Sequence, residues 1–173
     1  MDIIVTPDEA QPQRGVLRFK TRAYACVLGR SGVSAAKHEG DGATPLGRFP
    51  LRRVYYRADR VQAPRTILPL QITNAHDGWC DAPDDRAYNM PVTLPYHASA
   101  ETMWRNDHLY DLVVVLGYND APVIAGAGSA IFLHVAPEDG EPTAGCVALA
   151  RDTLMELLAI IDHDTAMVIE PRP

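Results

Sequence analysis

Residues 131–149 read IFLHVAPEDGEPTAGCVAL. Ile131 to Val135 is an apolar run interrupted only by His134, the pattern of a strand buried on both faces. Pro137, Asp139, Gly140 and Pro142 then break any regular element. Thr143-Ala144-Gly145-Cys146-Val147 follows, just ahead of a helical pattern. The intervening loop is long enough to fold back and bring the Cys146 thiol to the His134 ring, although spacing alone does not show that it does.

Working outward, Leu154, Leu157, Leu158 and Ile161 recur at helical spacing, so a helix is expected over Asp152 to Ile161 with Asp152 capping its start. Ala166 to Ile169 makes a final strand. Upstream, Leu112 to Leu116 is a β-branched run and the strongest strand of the chain. Val16 to Lys20 and Ala23 to Leu28 read as a hairpin about Thr21-Arg22. Gly29 to Gly32 is a turn, and Glu39 to Gly47 is dense in breakers. Phe49 to Tyr56 alternates as a half-buried strand does. Between residues 57 and 99, Pro64, Pro69, Pro83, Pro91 and Pro95 argue against long elements. A packed loop held by Trp79, Tyr88 and Tyr96 is expected there, with a short strand within Ile67 to Ile72. The sum is a mainly β fold with one or two short helices, a single domain over residues 1–173 with its core at about 16–170.

The chain of 173 residues suffices for one domain with a real core. Its 47% hydrophobic and 22% charged residues are those of a globular domain, not a disordered one. A net charge of −6 without a basic run argues against nucleic acid as a partner. No apolar stretch approaches the ~20 residues that span a bilayer. Met1 to Lys20 carries Asp2, Asp8, Glu9, Pro7 and Pro12 where an export signal has a basic then an apolar region, so no signal peptide is read. Cys26, Cys80 and Cys146 form neither a disulfide framework nor a CxxC pair. The histidines at 38, 76, 97, 108, 134 and 163 are scattered, which offers zinc no set of three or four ligands. Neither a metal nor a cofactor is implied.

Each half of the His134–Cys146 pair has an ordinary reading alone. A histidine in a buried strand is most often a satisfied core residue, and a Gly-Cys beside apolar residues is most often packed cysteine. Together they fit nucleophilic catalysis. A free thiol has a pKa near ~8.5, and an adjacent imidazole takes its proton. Gly145 lets backbone approach a bound carbonyl. The amides about Gly145 and Val147 are candidates for an oxyanion hole.

Thr-Ala-Gly-Cys-Val-Ala-Leu after a strand-end histidine resembles the catalytic motif of the L,D-transpeptidases, the YkuD/ErfK group. The segment Lys37 to Pro50, which contains Thr44-Pro45-Leu46-Gly47-Arg48-Phe49, is similar to the Thr-Pro-x-Gly-x-Phe signature of that family. The resemblance spans residues from about 16 to 170. It implies a β-sandwich-like mixed sheet with a helix packed on it and the site in a cleft. It also implies Cys146 as nucleophile, His134 as base, and peptidoglycan stem peptides as donor and acceptor. The family's usual Ser-His-Gly-Cys has Ala144 in place of its histidine. Ala148 stands where Arg or Asn is common, and the spacer after His134 is short. These departures imply a divergent branch; a compact proteobacterial one, some of whose members make 1,3-links from L-Ala to diaminopimelate, looks similar. Hydrolysis of stem peptides by the same machinery, and a non-catalytic peptidoglycan-binding module, are the alternatives.

Candidates for the substrate cleft are Thr143, Trp79, Tyr118, Asn119 and Arg151, the last placed to meet a carboxylate. Asp77, Asp81, Asp84 and Asp85 form an acidic patch that is either a solvated face or a receptor for an amine. Residues 64–95 are either a lid or a plain loop. Cys26 reads as core; Cys80, beside acids that disfavour its thiolate, is free or paired with Cys26 in an oxidising compartment. The substrate class implies the periplasm; the absence of a visible leader leaves the cytoplasm open. The sequence does not give the oligomeric state.

Overall fold

A computed structural model describes residues 1–171. Strands β1 (Ile3–Pro7), β2 (Arg14–Phe19) and β3 (Arg22–Val27) come first, followed by the short β4 (Val33–Ser34) and β5 (Thr44–Pro45). The long β6 (Gly47–Tyr56) leads to β7 (Leu70–Ile72), β8 (Asp77–Cys80), β9 (Pro91–Thr93) and β10 (Ala100–Thr102). The chain ends with β11 (Leu112–Leu116), β12 (Phe132–Val135), β13 (Val147–Leu149), helix α1 (Arg151–Leu158) and β14 (Ala166–Ile169).

The main sheet runs β11-β12-β13-β3-β2-β1-β14-β6-β7, and β11 also pairs with β6, so the sheet folds over and closes on itself. It is mixed: β1–β14, β12–β13 and β6–β7 are parallel, and the other pairs are antiparallel. The core lies inside this fold-over. Ile3, Val5, Leu17, Val54, Leu112, Val114, Leu133, Val147 and Leu149 meet there, each fully or almost fully buried. The mainly β class and the mixed sheet with a helix packed on it are as the sequence predicts.

Helix α1 seals one opening of the core with Leu154, Leu157 and Leu158, each worth roughly 1.5–3 kcal/mol of burial. Its expected bounds shift. It begins at Arg151, ends at Leu158, and its N-cap is Ala150 with no side-chain bond. Asp152 sits inside the first turn, beyond the capping position, where its charge still opposes the helix dipole favourably.

Two further differences position the site. β1 lies mid-sheet between β2 and β14, so the core reaches back from residue 16 to Ile3. The stretch 57–99, expected to be mostly loop, supplies β8 and β9, which with β10 form a separate three-stranded sheet in the order β10-β8-β9. Pro91 is tolerated because it opens β9 at the edge of that sheet. All three cysteines are free, and Cys26 and Cys80 are unpaired.

Candidate active site

The parallel register of β12 with β13 sets Leu133 beside Val147 and His134 beside Ala148. Cys146, one residue before β13, therefore lies beside Phe132, and its amide face meets that strand: the Phe132 N–H points at Sγ, 3.4 Å away. Side chains alternate along a strand, so Phe132 and His134 share a face. Cys146 joins it, packed in a second cluster with Tyr110, Trp79 and Phe132. His134 and Cys146 line one cleft of about 460 Å3.

Within that cleft the thiol donates to the Ala130 carbonyl at 3.2 Å. Ala130 is held in a left-handed conformation, φ 52, and its N–H donates to Asn89 Oδ1 at 3.0 Å. The same oxygen accepts the Trp79 indole N–H at 3.0 Å. The resting thiol is thus parked on a carbonyl that Asn89 fixes. His134 Nδ1 lies 2.8 Å from the Val135 carbonyl. A carbonyl can only accept, so Nδ1 carries the hydrogen and Nε2 keeps its lone pair. That backbone contact orients the ring, together with the Tyr110 ring packed edge-on at 5.3 Å.

The Cys146 and His134 side chains both rest uncharged. Burial pushes the Cys146 thiol up to about 12, with Glu101 adding to the rise and the Phe132 amide, Lys37 and Arg105 opposing it. Burial draws His134 down to about 4; the Val135 contact and Asp107 oppose this, and Arg105 adds to it. A preformed thiolate–imidazolium pair is therefore not the resting state.

The loop bearing Cys146 is clamped from below by the Thr-Pro-x-Gly-x-Phe segment. Thr44, fully buried, accepts the Gly29 N–H at 2.8 Å and turns its hydroxyl toward the Cys146 carbonyl at 3.5 Å. Gly145 adopts φ +138, and a Cβ there would stand 2.8 Å from the Ala43 carbonyl. A side chain at 145 would thus push the Cys146 loop off its platform. The two sequence motifs are two faces of one contact.

Thr143 lines the cleft, but its hydroxyl works locally, donating to the Cys146 carbonyl at 2.7 Å and accepting the Gly145 N–H at 3.1 Å. The Gly145 amide is thereby occupied, and Val147 belongs to the β12–β13 ladder. Arg151 lines a different hollow, with His108, Val135 and Glu138. Trp79 and Tyr118 line a third hollow of about 270 Å3, which shares Ile131 with the Cys146 cleft. Tyr118 also packs edge-on against Phe49, and the Asn119 amide bonds the Ile124 and Gly128 carbonyls, which pins the following loop.

Sequence reading did not single out most of the cleft's walls. Arg30, Lys37, Glu39, Glu101, Arg105 and Tyr110 join Cys146 and His134 there, along with Asp81 of the acidic patch. Tyr110 donates to Glu101 at 2.5 Å, and burial raises the Glu101 carboxyl. Asp81 Oδ1 is buried without a partner among the described residues. Lys37 is paired with Asp41 at 2.6 Å and Arg105 with Asp107 at 2.6 Å. Among the described residues no group of three or more His, Cys, Asp or Glu side chains is placed to hold a metal ion. No described helix is long and apolar enough to cross a membrane.

The YkuD family model, the L,D-transpeptidase catalytic domain, matches residues 4–169. No curated protein matches the chain, and no solved structure does.

Proposed function

We propose a function from one premise: this chain belongs to the YkuD family, the L,D-transpeptidase catalytic domains. On that premise it is a cysteine acyl-transferase acting on peptidoglycan stem peptides at the cell wall. The observation that supports Cys146 as nucleophile and His134 as base is their placement on one face of neighbouring strands, lining a single cleft.

His134 Nε2 takes the thiol proton as Sγ bonds to the donor carbonyl carbon. The carbonyl oxygen gains the electron pair of the broken π bond. When that pair returns, the C–N bond breaks, and His134 hands its proton to the departing amine. A thioester on Cys146 remains. An amine of a second stem attacks it, loses a proton to His134 and restores the thiol as the new amide forms. The neutral resting pair suits this sequence, since the base must be unprotonated before attack. The departures at Ala144 and Ala148 from the family's usual pattern support a donor or acceptor preference other than the common one, and a 1,3-type link is the product proposed.

Mass spectrometry of the protein mixed with purified muropeptides tests this. A thioester adduct on Cys146 and dimeric products carrying a defined linkage are expected, and Cys146→Ala should yield neither while remaining folded. Trimmed monomers without dimers would instead show hydrolysis. Crosslinking by Cys146→Ala would refute the mechanism.

A further inference from the structure

Three cations line the Cys146 cleft, and two are already neutralised by Asp41 and Asp107. Arg30 differs. Among the described residues no carboxylate lies within ion-pair distance of it, and its one side-chain bond is a long contact, 3.3 Å, to the Gly40 carbonyl. Its backbone is tied to the nucleophile's loop: the Arg30 N–H donates to the Thr143 carbonyl at 2.9 Å, and Gly29 bridges Thr143. Its side chain is laid flat over Gly42, where an added Cβ would stand 2.7 Å from Nε and 2.8 Å from Cγ and Cζ. Gly42 is left-handed, φ +69, so backbone shape and the missing side chain together make the bed for this guanidinium. A planar fork held in place, uncompensated, and anchored three residues before the nucleophile suits bidentate capture of a carboxylate.

We infer that Arg30 is a specificity-determining residue that binds the terminal carboxylate of the donor stem peptide's leaving segment, on the far side of the carbonyl that Cys146 attacks. The inference rests on the acyl-transfer reading of Cys146 given above. It moves the carboxylate-binding role from Arg151, which faces another hollow, to a residue inside the cleft. It also accounts for how the chain dispenses with a basic residue at position 148, where Ala148 is fully buried.

The test is a cycle between protein and substrate. Wild type, Arg30→Gln and Arg30→Lys are each given a donor stem peptide with a free terminal carboxylate and the same peptide as its C-terminal amide. Thioester formation is followed by mass spectrometry. Loss of a charge-assisted bond predicts a KM roughly 10- to 100-fold higher for wild type on the amide. Arg30→Gln should show that raised KM on both peptides, with no preference left, and Arg30→Lys should restore part of it on the acid. Calorimetric binding of both peptides to Cys146→Ala and to Cys146→Ala with Arg30→Gln should show the same discrimination without chemistry. An Arg30→Gln enzyme that keeps the full preference for the acid overturns the inference. A wild-type protein that forms no thioester with either peptide overturns the reading of Cys146, and this inference with it. Equal melting temperatures confirm that the variants are folded.

Discussion

Acid should weaken this protein through one buried ring, and the size of the effect can be worked out. His134 is held near 4 by burial, against 6.5 for a free imidazole. Above pH 6.5 the ring is neutral whether the chain is folded or not, so it contributes no pH dependence. Below that value the unfolded chain takes up a proton that the folded one refuses until about pH 4, so stability falls as pH falls through this window and levels off beneath it. Linkage gives a loss of about 2 kcal/mol at pH 5 and about 3 kcal/mol at pH 4, a large part of the 5–15 kcal/mol typical of a domain. His134→Gln removes the titration and keeps a polar side chain. Urea unfolding of both proteins at pH 7, 5 and 4 isolates the ring, because every other titrating group is common to the pair. The wild type should lose ground on the variant by those amounts. On the proposed mechanism the same ring sets the acid limb of catalysis, and thioester formation should fall with a midpoint near pH 4, not 6.5. Parallel losses of stability in the two proteins would refute the placement of a neutral imidazole in this core.

Two further outcomes follow from the same geometry. Thr44→Val keeps the shape but removes the acceptor of the Gly29 N–H and the hydroxyl facing the Cys146 carbonyl; it should lower stability by about 1–3 kcal/mol in urea titration and slow acylation more than its stability loss explains. Iodoacetamide should label Cys146 slowly at neutral pH, with a rate rising about tenfold per pH unit through the alkaline range, since burial pushes its thiol up to about 12; fast labelling at pH 7 would contradict the uncharged resting pair.

The strands that pattern alone announces are those buried on both faces or paired to a near neighbour. Leu112 to Leu116 is apolar throughout because both of its faces are buried, Leu112, Val114 and Leu116 in the main core and Val113 and Val115 in the second cluster, and the β2–β3 hairpin is closed by a local turn. β1 pairs with its near neighbour β2 as well as with the remote β14, and it escaped because Asp2, Pro7, Asp8 and Glu9 around it mask the short alternation of Ile3 and Val5. Three-residue strands such as β9 and β10 offer too short a period to read, and a proline at the head of β9 speaks against it. Their pairing with β8 is decided by tertiary contact, not by local preference.

The site divides in the same way. The places of His134 and Cys146 in the fold could be read because each lies on or beside a short strand with its flanking turn. The charges around them come from segments remote in sequence: Arg30 after β3, Asp81 after β8, Glu101 on β10 and Tyr110 ahead of β11. None of these stands in a periodic pattern, and each reaches the cleft only once the sheet has closed. Attack on a carbonyl requires the sulfur and the imidazole, whatever peptide bears it; the sign and spacing of the surrounding charges decide which peptide stays long enough to react. On the proposed function, reaction type is written locally in this chain, whereas substrate choice is written in its long-range contacts. Exchanges among Arg30, Asp81 and Glu101 should redirect the enzyme among donors while Cys146 continues to accept an acyl group.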